Sequence, residues 1–173
     1  MTFNESETIE LKSSVVADLC KEVVAFANTK GGTLYIGVED NGTVVGVDSA
    51  DRVTLQINNM VRDSIKPDVT MFVHYETQVV DNKQIIAVTV QKGTDRPYYL
   101  GSKGLKPSGV YVRNGTSTDP ATDTAIRKMI KETDGDSFES MRSLEQNLSF
   151  QATEAQFSKR NVPYDAAKMQ TLG

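Results

Sequence analysis

The stretch Glu22-Val-Val-Ala-Phe-Ala-Asn-Thr-Lys-Gly-Gly-Thr-Leu-Tyr-Ile-Gly-Val-Glu-Asp-Asn-Gly42 constrains the fold more than any other part of this chain. Apolar residues at helical spacing run to Asn28 and halt at Gly31-Gly32, because glycine takes a positive φ at little cost. Thr33 to Val38 then reads as a buried strand. Asp40-Asn41-Gly42 reads as a primed hairpin turn, with Thr43 to Val47 as the return strand. A helix joined to a strand through so short a corner is a rigid scaffold. Two acids, Glu39 and Asp40, are left at the strand's end.

The remaining elements follow from the same signals. Thr8 to Lys12 alternates apolar and polar, so Ile9 and Leu11 are expected in the core, with Thr8, Glu10 and Lys12 facing out together. Ser13 and Ser14 are placed to cap a helix over Val15 to Asn28. Ser49 to Ile65 is predicted helical, with Val53, Ile57, Met60, Val61 and Ile65 on one face, and Pro67 ends it. Val69 to Val80 and Gln84 to Gln91 form a predicted hairpin turning at Asp81-Asn82-Lys83. Residues 93–109 are turn-rich and basic, and Val110 to Arg113 is a short last strand. Pro120 suits a helix start, so a third helix is expected over Ala121 to Thr133. From residue 134 onward the periodicity weakens. Residues 134–173 are read as a linker and the start of a second, partly helical unit whose remainder lies beyond the chain.

Net charge is −4, which taken whole disfavours a polyanionic partner. Its distribution is uneven: residues 1–83 hold 7 basic and 13 acidic side chains, whereas residues 84–131 hold 8 basic and 3 acidic. One basic segment inside an acidic chain is a candidate electrostatic footprint, or a chance clustering on a solvated surface. The single cysteine, Cys20, lies at apolar helical spacing and is expected buried and inert, in a reducing compartment. No apolar run approaches the roughly 18 residues of a membrane helix. A polar, acidic start excludes a signal peptide, so a cytoplasmic protein without membrane contact is expected.

No Walker loop is present, since Gly104-Leu-Lys-Pro-Ser-Gly109 continues Val-Tyr rather than Lys-Ser. One histidine and one cysteine cannot build a His/Cys metal site, and His74 is read as structural. Glu5, Glu7 and Glu10 crowd the first strand while Glu39 and Asp40 end the second. Converging carboxylates would suit Mg²⁺ or Mn²⁺, although turn chemistry alone accounts for Asp40-Asn41-Gly42. Arg96-Pro-Tyr-Tyr-Leu100, Lys103, Lys106 and Arg113-Asn-Gly-Thr-Ser-Thr118 mix cations, tyrosines and hydroxyls that can grip phosphates. An irregular hairpin with half-buried tyrosines explains Tyr98, Tyr99 and Tyr111 as well.

Glu5-Ser-Glu-Thr-Ile-Glu-Leu-Lys12, Ala25-Phe-Ala-Asn-Thr-Lys-Gly-Gly32, Ile36-Gly-Val-Glu-Asp40 with Gly42 and Val45-Gly46, Arg96-Pro-Tyr-Tyr99 and Gly109-Val-Tyr-Val-Arg-Asn-Gly-Thr-Ser117 resemble, in order, the Schlafen AlbA domain. The likeness spans about residues 3–133. It implies an α+β fold with a mixed, mostly antiparallel sheet and packed helices, carrying a partial helical C-terminal extension. It also implies the DNA-binding module of a bacterial transcriptional regulator of the divergent AAA type, needing no cofactor and acting as a homodimer. Lys30, Arg96, Lys103, Lys106 and Arg113 are then the expected phosphate contacts. Schlafen nucleases imply an alternative, a ribonuclease holding Mg or Mn on Glu5, Glu10 and Asp40. Those enzymes clamp RNA with a second lobe for which this chain has no room, unless a symmetric dimer supplies it. A dimerisation or effector-sensing module that touches no nucleic acid is the third expectation.

Overall fold

The computed structural model describes residues 3–134. Its elements are β1 (Ile9–Lys12), α1 (Leu19–Asn28), β2 (Gly32–Ile36), α2 (Ala50–Ser64), β3 (Ile65–Lys66), a 3-10 turn (Thr70–Phe72), β4 (Val73–Val80), β5 (Lys83–Val90), β6 (Tyr99–Leu100), β7 (Tyr111–Asn114), β8 (Ser117–Pro120) and α3 (Asp123–Thr133). The main sheet has the order β1-β2-β5-β4. β1 runs parallel to β2, as a βαβ crossover through α1 demands, and the other pairings are antiparallel. Two small antiparallel pairs, β3-β6 and β7-β8, complete the mixed, mostly antiparallel α+β architecture. The expected linker and second unit over 134–173 fall, beyond residue 134, outside the described residues.

The corner after α1 forms for the reasons read from the sequence. Gly31 has φ +81°, and its N–H donates to the Phe26 carbonyl at 2.9 Å. Gly32 is needed for proximity, because a Cβ there would lie 2.5 Å from the Phe26 ring and 2.8 Å from the Thr8 carbonyl. Leu34 and Ile36 of β2 join Ile86, Val88 and Val90 of β5 on the face packed against α1 and α2. The opposite face carries a second core of Phe3, Leu11, Val38, Val44 and Ile85. α3 covers a third cluster, Val110, Ala121, Ile126 and Met129. Both faces of β1 are therefore buried. Leu11 enters the second core, while Glu10, expected to face out, is only 6% exposed on the helix side.

Several boundaries differ from expectation. α1 begins at Leu19, and Ser13 and Ser14 line a shallow depression instead of capping it. The return strand after Gly42 shrinks to one bridge, Val38 to Val44. Gly37 and Gly46, both at positive φ, bend the backbone there, and the Val45 and Gly46 N–H groups share the Gly37 carbonyl. Pro120 ends β8 rather than opening a helix, and Thr122 caps α3 by accepting from the Ala125 N–H at 3.1 Å. β4 starts at Val73, because Asp68 accepts from both the N–H and the hydroxyl of Thr70 and holds a 3-10 turn.

One buried amide fastens the basic segment to the core. Asn28, 3% exposed, donates to the carbonyls of Tyr98 and Tyr111 at 2.9 Å each and accepts from the Tyr98 N–H at 2.7 Å. Asn28→Ala would strand three buried backbone groups and is expected to cost about 3 kcal/mol in urea unfolding. Asn28→Asp should cost no less, since a carboxylate oxygen would face two carbonyls. A near-neutral Asp variant would overturn this account.

Candidate nucleic-acid interface

The basic segment was expected to offer Arg113 to phosphate, and the structure corrects this. The Arg113 side chain is 1% exposed. Its Nη1 lies 2.9 Å from Glu10, 3.1 Å from Glu22 and 3.0 Å from the Thr118 hydroxyl, and its Nη2 donates to the Ser6 carbonyl at 2.8 Å. The guanidinium also sits 5.0 Å from the centre of the Phe26 ring. Thr118 donates to Glu22, and Lys12 donates to Glu10. Two cations and two carboxylates thus neutralise one another where β1, α1, β7 and β8 meet. Burial pushes the Glu22 carboxyl above its ordinary pKa and the Glu10 charge adds to the rise, while Thr118, Arg113 and Lys12 oppose it. Burial works to lower Lys12, but its hydrogen bond to Glu10 and the charges of Glu10, Glu22 and Glu5 outweigh it and raise the ammonium's pKa.

The three carboxylates of the nuclease alternative are not gathered into a metal site. Glu10 is committed to Arg113 and Lys12. Glu5 is half-buried, and its charge reaches Lys12. Asp40 is exposed at the turn, in a separate depression with Ser13, Glu39 and Asn41. Among the described residues, no three His, Cys, Asp or Glu side chains are grouped so as to hold a metal ion. The donor set therefore does not fit Mg²⁺ or Mn²⁺, which require several oxygens around one point.

The other expected phosphate contacts fall into two places. Lys30 and Arg96 line a cleft of about 370 Å³ with two cations not singled out from the sequence, Lys92 and Lys128. Glu7 and Glu132 line it too, so four positive charges face two negative ones. Lys30 lies 3.0 Å from Glu7, and Arg96 donates to Glu132 at 3.2 Å and to the Asn28 carbonyl at 3.4 Å. Lys103 and Lys106 sit instead on the loop between β6 and β7, both exposed and without a carboxylate partner among the described residues. Lys103 Nζ lies 3.3 Å from the Tyr111 hydroxyl and 5.9 Å from its ring centre. Tyr98 is fully buried and Tyr111 is 7% exposed, so neither offers a ring for stacking.

Glu22 escaped the sequence reading, and Thr118 entered it only as one hydroxyl of the run after Arg113, not as a partner of Glu22. Glu22 left one signal: it and Lys21 are the only charged residues in a helix that buries nearly every other side chain.

Residues 5–122 match the family model described as Schlafen, AlbA_2. The chain belongs to this family. Among solved structures, this Schlafen AlbA_2 domain is similar to the N-terminal domain of a protein from Nitrosomonas europaea named "Putative ATP-dependent DNA Helicase RecG-related Protein". The two share 27% identity and a TM-score of 0.51, over 69% of this chain and 86% of that one. The DIP2311 protein from Corynebacterium diphtheriae is 18% identical with a TM-score of 0.49, over 66% of this chain and a quarter (25%) of that one. No curated protein matches the chain. Among the described residues, no helix is long and apolar enough to cross a membrane.

The buried cluster has a pH signature. Glu22 binds its proton more tightly in the folded state, so stability on its account rises as pH falls through the raised pKa and levels off below the ordinary 4.5. Glu22→Gln is expected to remove that component from the pH dependence of the urea midpoint. Superimposable profiles for the two proteins would refute it. Arg113→Ala, which leaves Glu22 without a cation and Glu10 with Lys12 alone, is expected to cost about 3–5 kcal/mol.

Proposed function

We propose that this domain binds nucleic acid, that the nucleic acid is DNA, and that it serves as the recognition module of a transcriptional regulator. Family membership and the likeness to a domain whose parent is named for DNA helicase activity support a nucleic-acid role. The observation that carries the reading is the loop bearing Lys103 and Lys106. Its backbone is cross-linked within itself: the N–H groups of Lys103 and Gly104 donate to Leu100, and those of Gly109 and Val110 donate to Lys106. Gly104 and Gly109 come so close that a Cβ on Gly109 would meet the Gly104 carbonyl at 2.1 Å. Two lysines on a pre-ordered loop lose little backbone entropy when they meet phosphates. Lys30 and Arg96, with Lys92 and Lys128, add positive surface elsewhere on the same basic segment and helix ends. A symmetric dimer, the proposed assembly, would double each of these surfaces.

Fluorescence anisotropy with duplex DNA tests the proposal. Affinity should fall steeply with salt, and the paired change Lys103→Glu with Lys106→Glu should lower the log–log salt slope by about two. Affinity at moderate salt should fall by at least about tenfold. Salt-independent binding, or wild-type affinity in the paired variant, would defeat the proposal. Tighter binding to RNA of the same sequence would move the assignment from DNA to RNA.

A further inference from the structure

The cleft between the end of α1 and α3 has a composition that a strand-tracking surface does not need. Its cations come from four separate segments: Lys30 after α1, Lys92 after β5, Arg96 before β6, and Lys128 on α3. Its apolar lining is supplied by Val112, Ala125 and Met129. The depression, about 370 Å³, is widely open to solvent, so a ligand would lie against it with one side exposed. Two carboxylates already occupy the cations: Glu7 on Lys30, and Glu132 on both Arg96 and, at 3.9 Å, Lys128. Arg96 is held, at 14% side-chain exposure, and its buried Nε is without an acceptor among the described residues. Lys92 is exposed and has no carboxylate partner among them.

We propose that this cleft is a binding site for a phosphate monoester carried on a flat or apolar body, the chemistry of a nucleoside 5′-phosphate. The argument is one of competition. A backbone phosphodiester carries a single negative charge, no more than the carboxylate it must displace, so it gains little by exchanging with Glu7 or Glu132. A monoester carries about −1.5 to −2 at neutral pH and presents three acceptor oxygens. It can take up the two surplus positive charges of the cleft and satisfy several N–H donors together. Val112, Ala125 and Met129 offer the attached body a place to leave water. Two sources share this chemistry, a free mononucleotide and the 5′-phosphorylated end of a strand. The site stands on its own geometry and does not require the lysine loop to bind DNA.

Calorimetric titration of the 173-residue chain with adenosine 5′-monophosphate, adenosine and inorganic phosphate is the first arm. The second arm compares a short single-stranded oligonucleotide bearing a 5′-phosphate with the same strand bearing a 5′-hydroxyl. A free-nucleotide site predicts saturable binding of the monophosphate, with adenosine and inorganic phosphate each weaker by about tenfold or more. A strand-end site predicts a 5′-phosphate advantage of similar size in the second arm. In either case Lys92→Glu and Lys128→Glu, both at exposed positions, should weaken binding. Glu132→Gln should tighten it by removing the resident competitor, an outcome that a purely structural Glu132 does not produce. The site is refuted if neither arm shows a phosphate preference, if inorganic phosphate matches the nucleotide, or if these variants leave binding unchanged. DNA binding indifferent to the 5′-phosphate, together with no preference for the monophosphate over adenosine, would sink this site and leave the preceding proposal intact. Nucleotide binding without any DNA affinity would do the reverse.

Discussion

The fold depends on a single guanidinium kept out of water. Arg113 reaches from β7 to Glu10 on β1, Glu22 on α1, Thr118 on β8 and the carbonyl of Ser6, contacts separated by up to 107 positions in sequence. A lysine could not replace it, because only the planar fork directs several donors to different elements at once. Desolvating such a group is unfavourable, and its attraction to two carboxylates recovers that cost only where geometry satisfies nearly every polar atom. The arrangement is therefore a constraint on position more than a source of stability. If the small β7-β8 pair shifted against α1, Arg113, Glu10 and Glu22 would all lose partners together.

Asn28 applies the same logic at the other end of α1. Its amide grips both the chain entering β6 and the first residue of β7. Between them, Asn28 and Arg113 fix the irregular segment from residue 93 onward to a helix that is itself buried in the main core. This is why a loop with few regular hydrogen bonds can present Arg96, Lys103 and Lys106 in defined places. The charges that reach solvent are positioned by polar groups that do not.

Much of this was legible in the sequence where local chemistry decides. The Gly31-Gly32 corner, the β4-β5 hairpin turning at Asp81 and Asn82, and the amphipathic α2 follow from glycine conformation and periodicity. Where distant residues decide, the sequence misled. Glu10 alternates as if it faced water, but a strand with helices on one side and the Phe3 cluster on the other has no solvent face. β8 is polar and ends in proline, so it looks like a loop, and only pairing with β7 makes it a strand. Arg113 lies in a stretch that has the composition of a phosphate grip, and composition cannot tell a solvated cation from one matched by acids about a hundred residues away. Lys92 and Lys128 gained interest only when the fold brought them to Lys30 and Arg96.

The division of labour bears on what family likeness can say. Glu10, Asn28, Gly31, Gly32 and Arg113 carry much of the resemblance to the Schlafen AlbA domain, and each has a structural use here: closing a corner, fastening a loop, or neutralising a buried charge. A chain that keeps those residues keeps the scaffold, whatever it binds. Of the side chains offered to a ligand, Lys30 and Arg96 fall within the motifs by which the family is recognised, whereas Lys92, Lys103, Lys106 and Lys128 stand outside them. Their surroundings differ as well, since the loop lysines are unopposed while, in the cleft, Lys30 is paired with Glu7 and Arg96 and Lys128 with Glu132. An acidic chain can then still select anions. An unopposed lysine accepts any phosphate at a strength set by salt, whereas a cation already held by a carboxylate yields only to a ligand with more charge to offer.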